Sequence, residues 1–243
     1  MASSKWTIAG ALLLIPVLGF AVSLFAMNLA SAQEPAVSIP PPAQDAAAPA
    51  DAATQTIVLA GGCFWGVQAV FEYTKGVTGA VSGYSGGTKE TAHYQMVGTE
   101  RTGHAESVQV TFDPKQISYG KILQIYFSVA HNPTELNYQG PDSGPSYRSA
   151  IFYANDEQKR IAEAYIAQLD QAHVFKAPIV TKLEAFKGFY PAEDYHQDFL
   201  VLHPTYPYIV VNDQPKVGNL KRLFADQYRD TPVTVMAANR PTQ

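Results

Sequence analysis

Residues 56–60, Thr-Ile-Val-Leu-Ala, form a short β-branched apolar run that stops at Gly61-Gly62, and Phe64, Val67, Val70 and Phe71 then recur at helical spacing before Gly76. This pattern constrains the fold more than any other stretch. A buried strand must feed a helix through a diglycine turn, which leaves residue 63 at the helix N-terminus. That residue is Cys63, the only cysteine among 243 residues. A lone thiol forms no intramolecular disulfide and is a poor start for a metal site. It is therefore either a small buried hydrophobe or a nucleophile. The helix end favours the nucleophile: unpaired N–H groups and the positive dipole end are expected to favour the thiolate and lower the thiol pKa.

Further along, residues 77–84 read as a second strand, followed by a Gly-rich polar loop to about Gly103. Residues 105–112, AESVQVTF, alternate strictly, with Glu106, Val108, Val110 and Phe112 on one face and Ala105, Ser107, Gln109 and Thr111 on the other. Then come a helix from Ser118 to about Ala130, a long loop, a strand near 149–153, a helix opened by Asn155 and a final strand from Pro178. Strands alternating with helices, plus one adjacent strand pair, predict an α+β fold. Its expected form is a two-layer sandwich around a mixed β-sheet with a split βαβ (ferredoxin-like) arrangement.

The flanks differ in kind. Residues 1–32 carry Lys5, an apolar run broken by Pro16 and the small-x-small site Ala30-Ser31-Ala32. This is the pattern of an export signal, while the run from Trp6 to Ala30 is also long enough for an uncleaved anchor. Both place the remaining chain outside the cytoplasm, in the periplasm or beyond the cell. Residues 33–54 are mainly Ala, Pro, Asp and Gln, a composition expected of a tether that does not fold. Residues 55–230 form one domain-sized unit, and 231–243 read as a flexible tail. A net charge of −4 without a Lys/Arg run gives no surface for a nucleic-acid backbone.

Several side chains could carry chemistry beside Cys63. Phe64 fits the helical stripe as a core residue, whereas Trp65 lies off it; together they would wall a pocket for an apolar, methyl-bearing group. Glu106 at the end of an apolar face is desolvated, which raises its pKa and makes it a proton donor near neutrality. Asp142 serves equally as a turn or a site residue, and Tyr94 and Tyr147 equally as core aromatics. His104 and His196 would be the candidate bases of a rival Cys-His nucleophile.

The segments GGCFWG, GYSGG, TGHAESV, GPDSGPSYRSAIFY and AEDYHQDF, in order over about residues 56–224, closely resemble the peptide methionine sulfoxide reductase A family. The resemblance implies an α+β sandwich and a reductase of the S epimer of methionine sulfoxide. It makes Cys63 the nucleophile, Glu106 the acid, Tyr94 and Tyr147 the donors to the sulfoxide oxygen, and Asp142 the family's site aspartate. Phe64 and Trp65 then line the methyl pocket. The C-terminal resolving cysteines of many members are missing here, so the resemblance is to the one-cysteine type. Its sulfenic acid is reduced by an external thiol, either thioredoxin-like or of the glutathione/glutaredoxin kind. No bound cofactor or metal is expected, and the protein is expected to act as a monomer on oxidised proteins, touching a membrane only through an uncleaved N-terminal segment.

Overall fold

The computed structural model describes residues 36–47 and 54–238. The signal or anchor segment, residues 1–32, lies outside the described residues. Among the described residues no helix is long and apolar enough to cross a membrane.

The elements run β1 (Gln55–Gly61), α1 (Phe64–Glu72), β2 (Val77–Ser85), α2 (Tyr94–Val97), β3 (Ala105–Phe112), α3 (Tyr119–Ile125), β4 (Tyr138–Gln139) and β5 (Asp142–Ser143). The second half adds β6 (Ser149–Tyr153), α4 (Asp156–Gln171), β7 (Lys182–Ala185), β8 (Tyr190–Pro191), α5 (Phe199–Leu202), α6 (Gln214–Leu223) and α7 (Val235–Ala238). Six strands form one sheet in the order β7-β6-β1-β3-β2-β8, and β4 pairs with β5 as a separate hairpin. Only β6–β7 is parallel; the other four pairings are antiparallel, so the sheet is mixed. β3 lies between β1 and β2 and runs against both, which is the split βαβ arrangement expected from the sequence.

β1 has a neighbour on each side, which is why its sequence is apolar without alternation. Ile57 and Leu59 face the principal core with Val108, Val110, Phe112, Val67, Phe71, Ile122 and Leu123. Val58 and Ala60 turn to the other face, where a small cluster with Ala105, Ala150 and Phe152 is met by Phe189. Helix starts follow their caps: Ser118 Oγ accepts from Lys121 N at 3.1 Å, and Asn155 Oδ1 accepts from Gln158 N at 2.9 Å. The helix expected to reach Ala130 changes register after Ile125 into a π-helical turn at Tyr126–Ala130. There Tyr126 Oη donates to Ala60 O at 2.6 Å, fastening that turn under the end of β1. The strand expected from Pro178 pairs only over Lys182–Ala185.

Residues 36–47, expected as spacer, lie against α3 and α4. Proline-rich chain has few N–H donors but keeps its carbonyls, and neighbouring side chains supply the donors. Gln124 Nε2 donates to Ile39 O at 2.9 Å and Tyr165 Oη to Pro40 O at 2.6 Å. Asp45 accepts from Ser118 Oγ at 2.5 Å and Gly120 N at 2.7 Å, an anion at the N-terminus of α3. Ile39 is only 6% exposed and belongs to the principal core. The tail is also held as far as it is described: Val233 N donates to Glu72 O at 3.1 Å, and Val235 N and Met236 N each donate to the buried Asp198 carboxylate at 2.9 Å.

Ile39→Ala is expected to lower the unfolding free energy by about 2 kcal/mol or more, the usual cost of deleting a buried isoleucine side chain. Denaturant unfolding of the purified protein measures it; an unchanged midpoint would mean that residues 36–47 do not dock.

Candidate active site

The strand, turn and helix that carry Cys63 are held by what surrounds them. Gly62 has φ 85°, and a Cβ there would lie 2.5 Å from Gln139 Cβ, so only glycine suits both the backbone and the neighbour. Gln139 is in turn clamped by Asn132, whose N donates to Oε1 at 2.9 Å and whose O accepts from Nε2 at 2.7 Å. Cys63 occupies the N-cap position of α1 and makes no side-chain capping bond, so its sulfur is free to face outward. It does so into a cavity of about 210 Å³.

Cys63, Phe64, Trp65, Tyr94, Glu106, Asp142 and Tyr147 all line that cavity. The seven residues that the family resemblance assigns to the site are therefore brought to one place. Glu106 arrives from β3, Tyr94 from α2, Asp142 from β5 and Tyr147 from the short turn Pro145–Tyr147. Glu106 is 4% exposed, and its Oε2 accepts from Phe64 N at 3.0 Å. The carboxyl group is thus tied to the residue that follows the thiol.

The electrostatics of the empty-handed thiol differ from the sequence expectation. Burial pushes the Cys63 pKa up, well above its ordinary value, and the Asp213 and Glu106 carboxyl groups push the same way. The Trp65 N–H and Lys216 oppose them more weakly. Desolvation therefore outweighs the helix end, and the resting sulfur is a neutral thiol rather than a thiolate. Glu106 behaves as expected: burial raises it to about 8 against the lowering effect of the Phe64 N–H, so its carboxyl is protonated at neutral pH. Asp142 is raised by burial, while Tyr208 Oη donates to its Oδ2 and lowers it. Tyr94 and Tyr147 are both raised, by burial first and then by the nearby Glu106, so they remain O–H donors.

Residues that sequence reasoning did not single out complete the walls. Tyr206 and Tyr208 line the cavity, and Trp65 meets their rings edge-on while stacking on Phe199 at 3.8 Å and 7°. Their signal was weak: two of 14 tyrosines in a Tyr-Pro-Tyr stretch. Glu193 and Glu100 were missed too, because they act at one remove. Glu193 accepts from Tyr94 N and from Tyr84 Oη, each at 2.9 Å, and Glu100 accepts from Ser146 N at 2.8 Å and Ser146 Oγ at 2.7 Å. They fix the backbone that presents Tyr94 and Tyr147.

The histidines divide. His104 lies outside the cavity lining, its ring bonded to Gly87 N and Thr88 O. His196 does line it, but its Nδ1 accepts from Trp65 Nε1 at 3.2 Å and its ring leans on Phe64 and Tyr94, so it serves as a wall. Burial lowers its pKa and keeps it neutral. Among the described residues no group of three or more His, Cys, Asp or Glu side chains is placed to hold a metal ion.

A free cysteine beside a neutral carboxyl and O–H donors, in an aromatic cleft on an α+β sandwich, defines a class of thiol-based enzyme. The family model for peptide methionine sulfoxide reductase matches residues 55–228. The chain is 63% identical over 186 residues to the peptide methionine sulfoxide reductase MsrA 2 of Mesorhizobium japonicum, covering 76% of this chain and 95% of that protein. It is 49% identical to the MsrA 2 of Synechocystis, over 72% of this chain and 82% of the relative. Among solved structures, methionine sulfoxide reductase A of Corynebacterium diphtheriae superposes with a TM-score of 0.53 at 32% identity, covering 71% of this chain and 86% of that one. Reduced Mxr1 of Saccharomyces cerevisiae gives a TM-score of 0.56 at 31% identity, over 63% and 87%. The chain belongs to the peptide methionine sulfoxide reductase family, in its MsrA branch, whose enzymes act on peptide-methionine (S)-S-oxide.

Glu106 also carries a stability signature. Its folded pKa of about 8 lies above the ordinary ~4.3 of an unfolded glutamate, so the folded state holds the proton more tightly. That contribution is complete below about pH 4 and is lost as pH rises towards 8. Glu106→Gln does not titrate. Its melting temperature relative to wild type is expected to climb between pH 5 and 8 and then level off; a constant difference across that range would contradict the buried, neutral carboxyl.

Proposed function

We propose that this protein reduces the S epimer of methionine sulfoxide, free or in proteins, and so repairs oxidised exported proteins. The observation that carries this reading is the buried Glu106 carboxyl, bonded to the N–H next to Cys63 inside an aromatic-walled cleft, where burial keeps it protonated. A sulfoxide oxygen leaves sulfur only once protonated. The site holds a proton for it and O–H groups, those of Tyr94 and Tyr147, to orient it.

In the proposed reaction the methyl group of the substrate packs against Phe64 and Trp65, and the oxygen points to Glu106, Tyr94 and Tyr147. Glu106 gives its proton to the oxygen while the Cys63 sulfur attacks the sulfoxide sulfur. The thiol proton passes to the Glu106 carboxylate. The oxygen then transfers to Cys63, so that Cys63–SH plus sulfoxide become Cys63–SOH plus thioether, with Glu106 protonated again. The sulfenic acid is reversible on the oxidation ladder. Two thiols from outside reduce it, forming their own disulfide and water, since Cys63 is the only cysteine. The half-buried Cys63 leaves room for such a reductant, thioredoxin-like or of the glutathione/glutaredoxin kind, to reach it. Substrates in exported proteins fit the export-type segment at residues 1–32.

A cysteine hydrolase needs a histidine that takes the thiol proton. His196 instead uses Nδ1 as an acceptor for Trp65, which disfavours that role.

Incubation of the purified protein with dithiothreitol and each epimer of methionine sulfoxide tests the proposal. Turnover of the S epimer, its loss in Cys63→Ser and a fall of about 10² to 10⁴ in kcat/KM for Glu106→Gln are expected. Activity should also decline above about pH 8 as Glu106 ionises. Folded protein that leaves the S epimer untouched would refute it.

A further inference from the structure

Below the first turn of α1 lies a charged pair that the reaction above does not use. The chain passes from Tyr208 in the cavity wall through a π-helical turn, Ile209–Asp213, into α6. Asp213 is fully buried, and Lys216 Nζ reaches its Oδ1 at 3.3 Å. Gly66 makes room for both: a Cβ there would overlap Asp213 Oδ1 and come within 3.0 Å of Lys216 Nζ. Gly66 is three residues past Cys63, so the pair packs against the same first turn of α1 that follows the sulfur. The second carboxylate oxygen, Oδ2, is buried with no hydrogen-bond partner. A buried, under-bonded ion pair adds little to stability over apolar side chains of the same volume, so stability does not account for it.

We propose that Asp213, anchored by Lys216, is a positioning residue that keeps negative charge off the Cys63 sulfur until a sulfoxide is bound. The inference rests on reading Cys63 as the nucleophile. In a site of low dielectric, one carboxylate opposes a second negative charge nearby. Asp213 acts on Cys63 in this sense more strongly than Lys216 acts against it. Lys216 has a separate task. Burial raises the Asp213 pKa to about 6 and Lys216 holds it from rising further, so the carboxylate is charged at neutral pH. The other titratable groups lining the cavity with the sulfur are Glu106 from β3, Asp142 from β5, His196 and the phenols of Tyr94, Tyr147, Tyr206 and Tyr208. Glu106 is neutral below about pH 8 and the phenols of Tyr94, Tyr147 and Tyr208 stay protonated, while Asp142 is not among the groups that shift Cys63, which leaves Asp213 the carboxylate that sets the resting state in the range between. A neutral thiol reacts slowly with peroxides, because the thiolate is the reactive form. Cys63 would thus be spared oxidation between turnovers and stay in the thiol form that the reaction consumes.

The test is the rate of Cys63 alkylation by iodoacetamide between pH 5 and 9, in wild type and in Asp213→Asn. Sulfoxide is not involved, so the result stands apart from whether the reductase reading holds. In wild type the logarithm of the rate should rise with unit slope to about pH 6, flatten as Asp213 ionises, and then resume. Asp213→Asn should rise straight through pH 6 and react roughly tenfold faster at pH 7, equivalent to one pKa unit at the thiol. A site merely loosened by the substitution would speed alkylation but would not put a break near pH 6 into the wild-type curve. A wild-type profile without that break, or a break that survives in Asp213→Asn, overturns the proposal. Should Asp213→Asn fail to fold, the wild-type curve alone decides.

Discussion

The bond from Phe64 N to Glu106 Oε2, at 3.0 Å, is the constraint on which the site depends. It joins two elements distant in sequence, the first turn of α1 and the start of β3, at the point where the sheet meets its helical layer. Each side of the bond satisfies a need of the other. The helix N-terminus has N–H groups without intrahelical acceptors, and a carboxyl on the apolar face of β3 has no water to receive its hydrogen bonds. The bond stabilises the ionised form, yet burial prevails and the carboxyl keeps its proton. The same burial keeps the neighbouring thiol neutral. Two protonated groups side by side make a resting state without internal repulsion, one proton ready for an oxygen and the other able to replace it.

Around that pair the structure invests in rigidity. Trp65 is fixed by Phe199 on its face and by His196 at its indole nitrogen. The segment carrying His196 is tied down through Gln197, whose Oε1 accepts from Ser82 N at 2.9 Å and whose Nε2 donates to Ser82 O at 2.9 Å. Gln68 bonds Ala80 O and Gln197 with its amide and accepts from Ser82 Oγ and Asp198 N with its oxygen. An uncharged amide can fill both roles at once in a fully buried place, and a carboxylate could not donate. Supporting shells of this kind hold catalytic groups to the tolerance that proton transfer requires.

Much of this was legible before any coordinates. β1, α1 and β3 followed directly from apolar periodicity, and the position of Glu106 on the inner face followed from strict alternation. The placement of β3 between β1 and β2 matches the split βαβ arrangement read from those elements, whereas the edge strand β8 has no signal in the sequence. What could not be read depended on tertiary surroundings. The direction of the Cys63 pKa shift is the clearest case: helix geometry alone argues for a thiolate, and only burial beside Asp213 and Glu106 reverses it. Residues 36–47 looked unable to fold because composition reports what a segment can bury by itself, not what donors its carbonyls will meet. Tyr206, Tyr208, Glu100 and Glu193 carry no local periodicity that would separate them from surface residues. The π-helical turns after Ile125 and before Gln214 leave no mark in the sequence either, although the second one delivers Asp213 beneath the first turn of α1.

The central claim is that an uncharged carboxyl group stands next to the reactive sulfur at neutral pH. Isotope-edited infrared spectroscopy of protein labelled with ¹³C-glutamate, compared with Glu106→Gln, observes that proton directly. The account predicts a carboxylic-acid carbonyl band assigned to Glu106 at pH 7, replaced by carboxylate absorption with a midpoint of about 8. A Glu106 already present as carboxylate at pH 6 to 7 would contradict it.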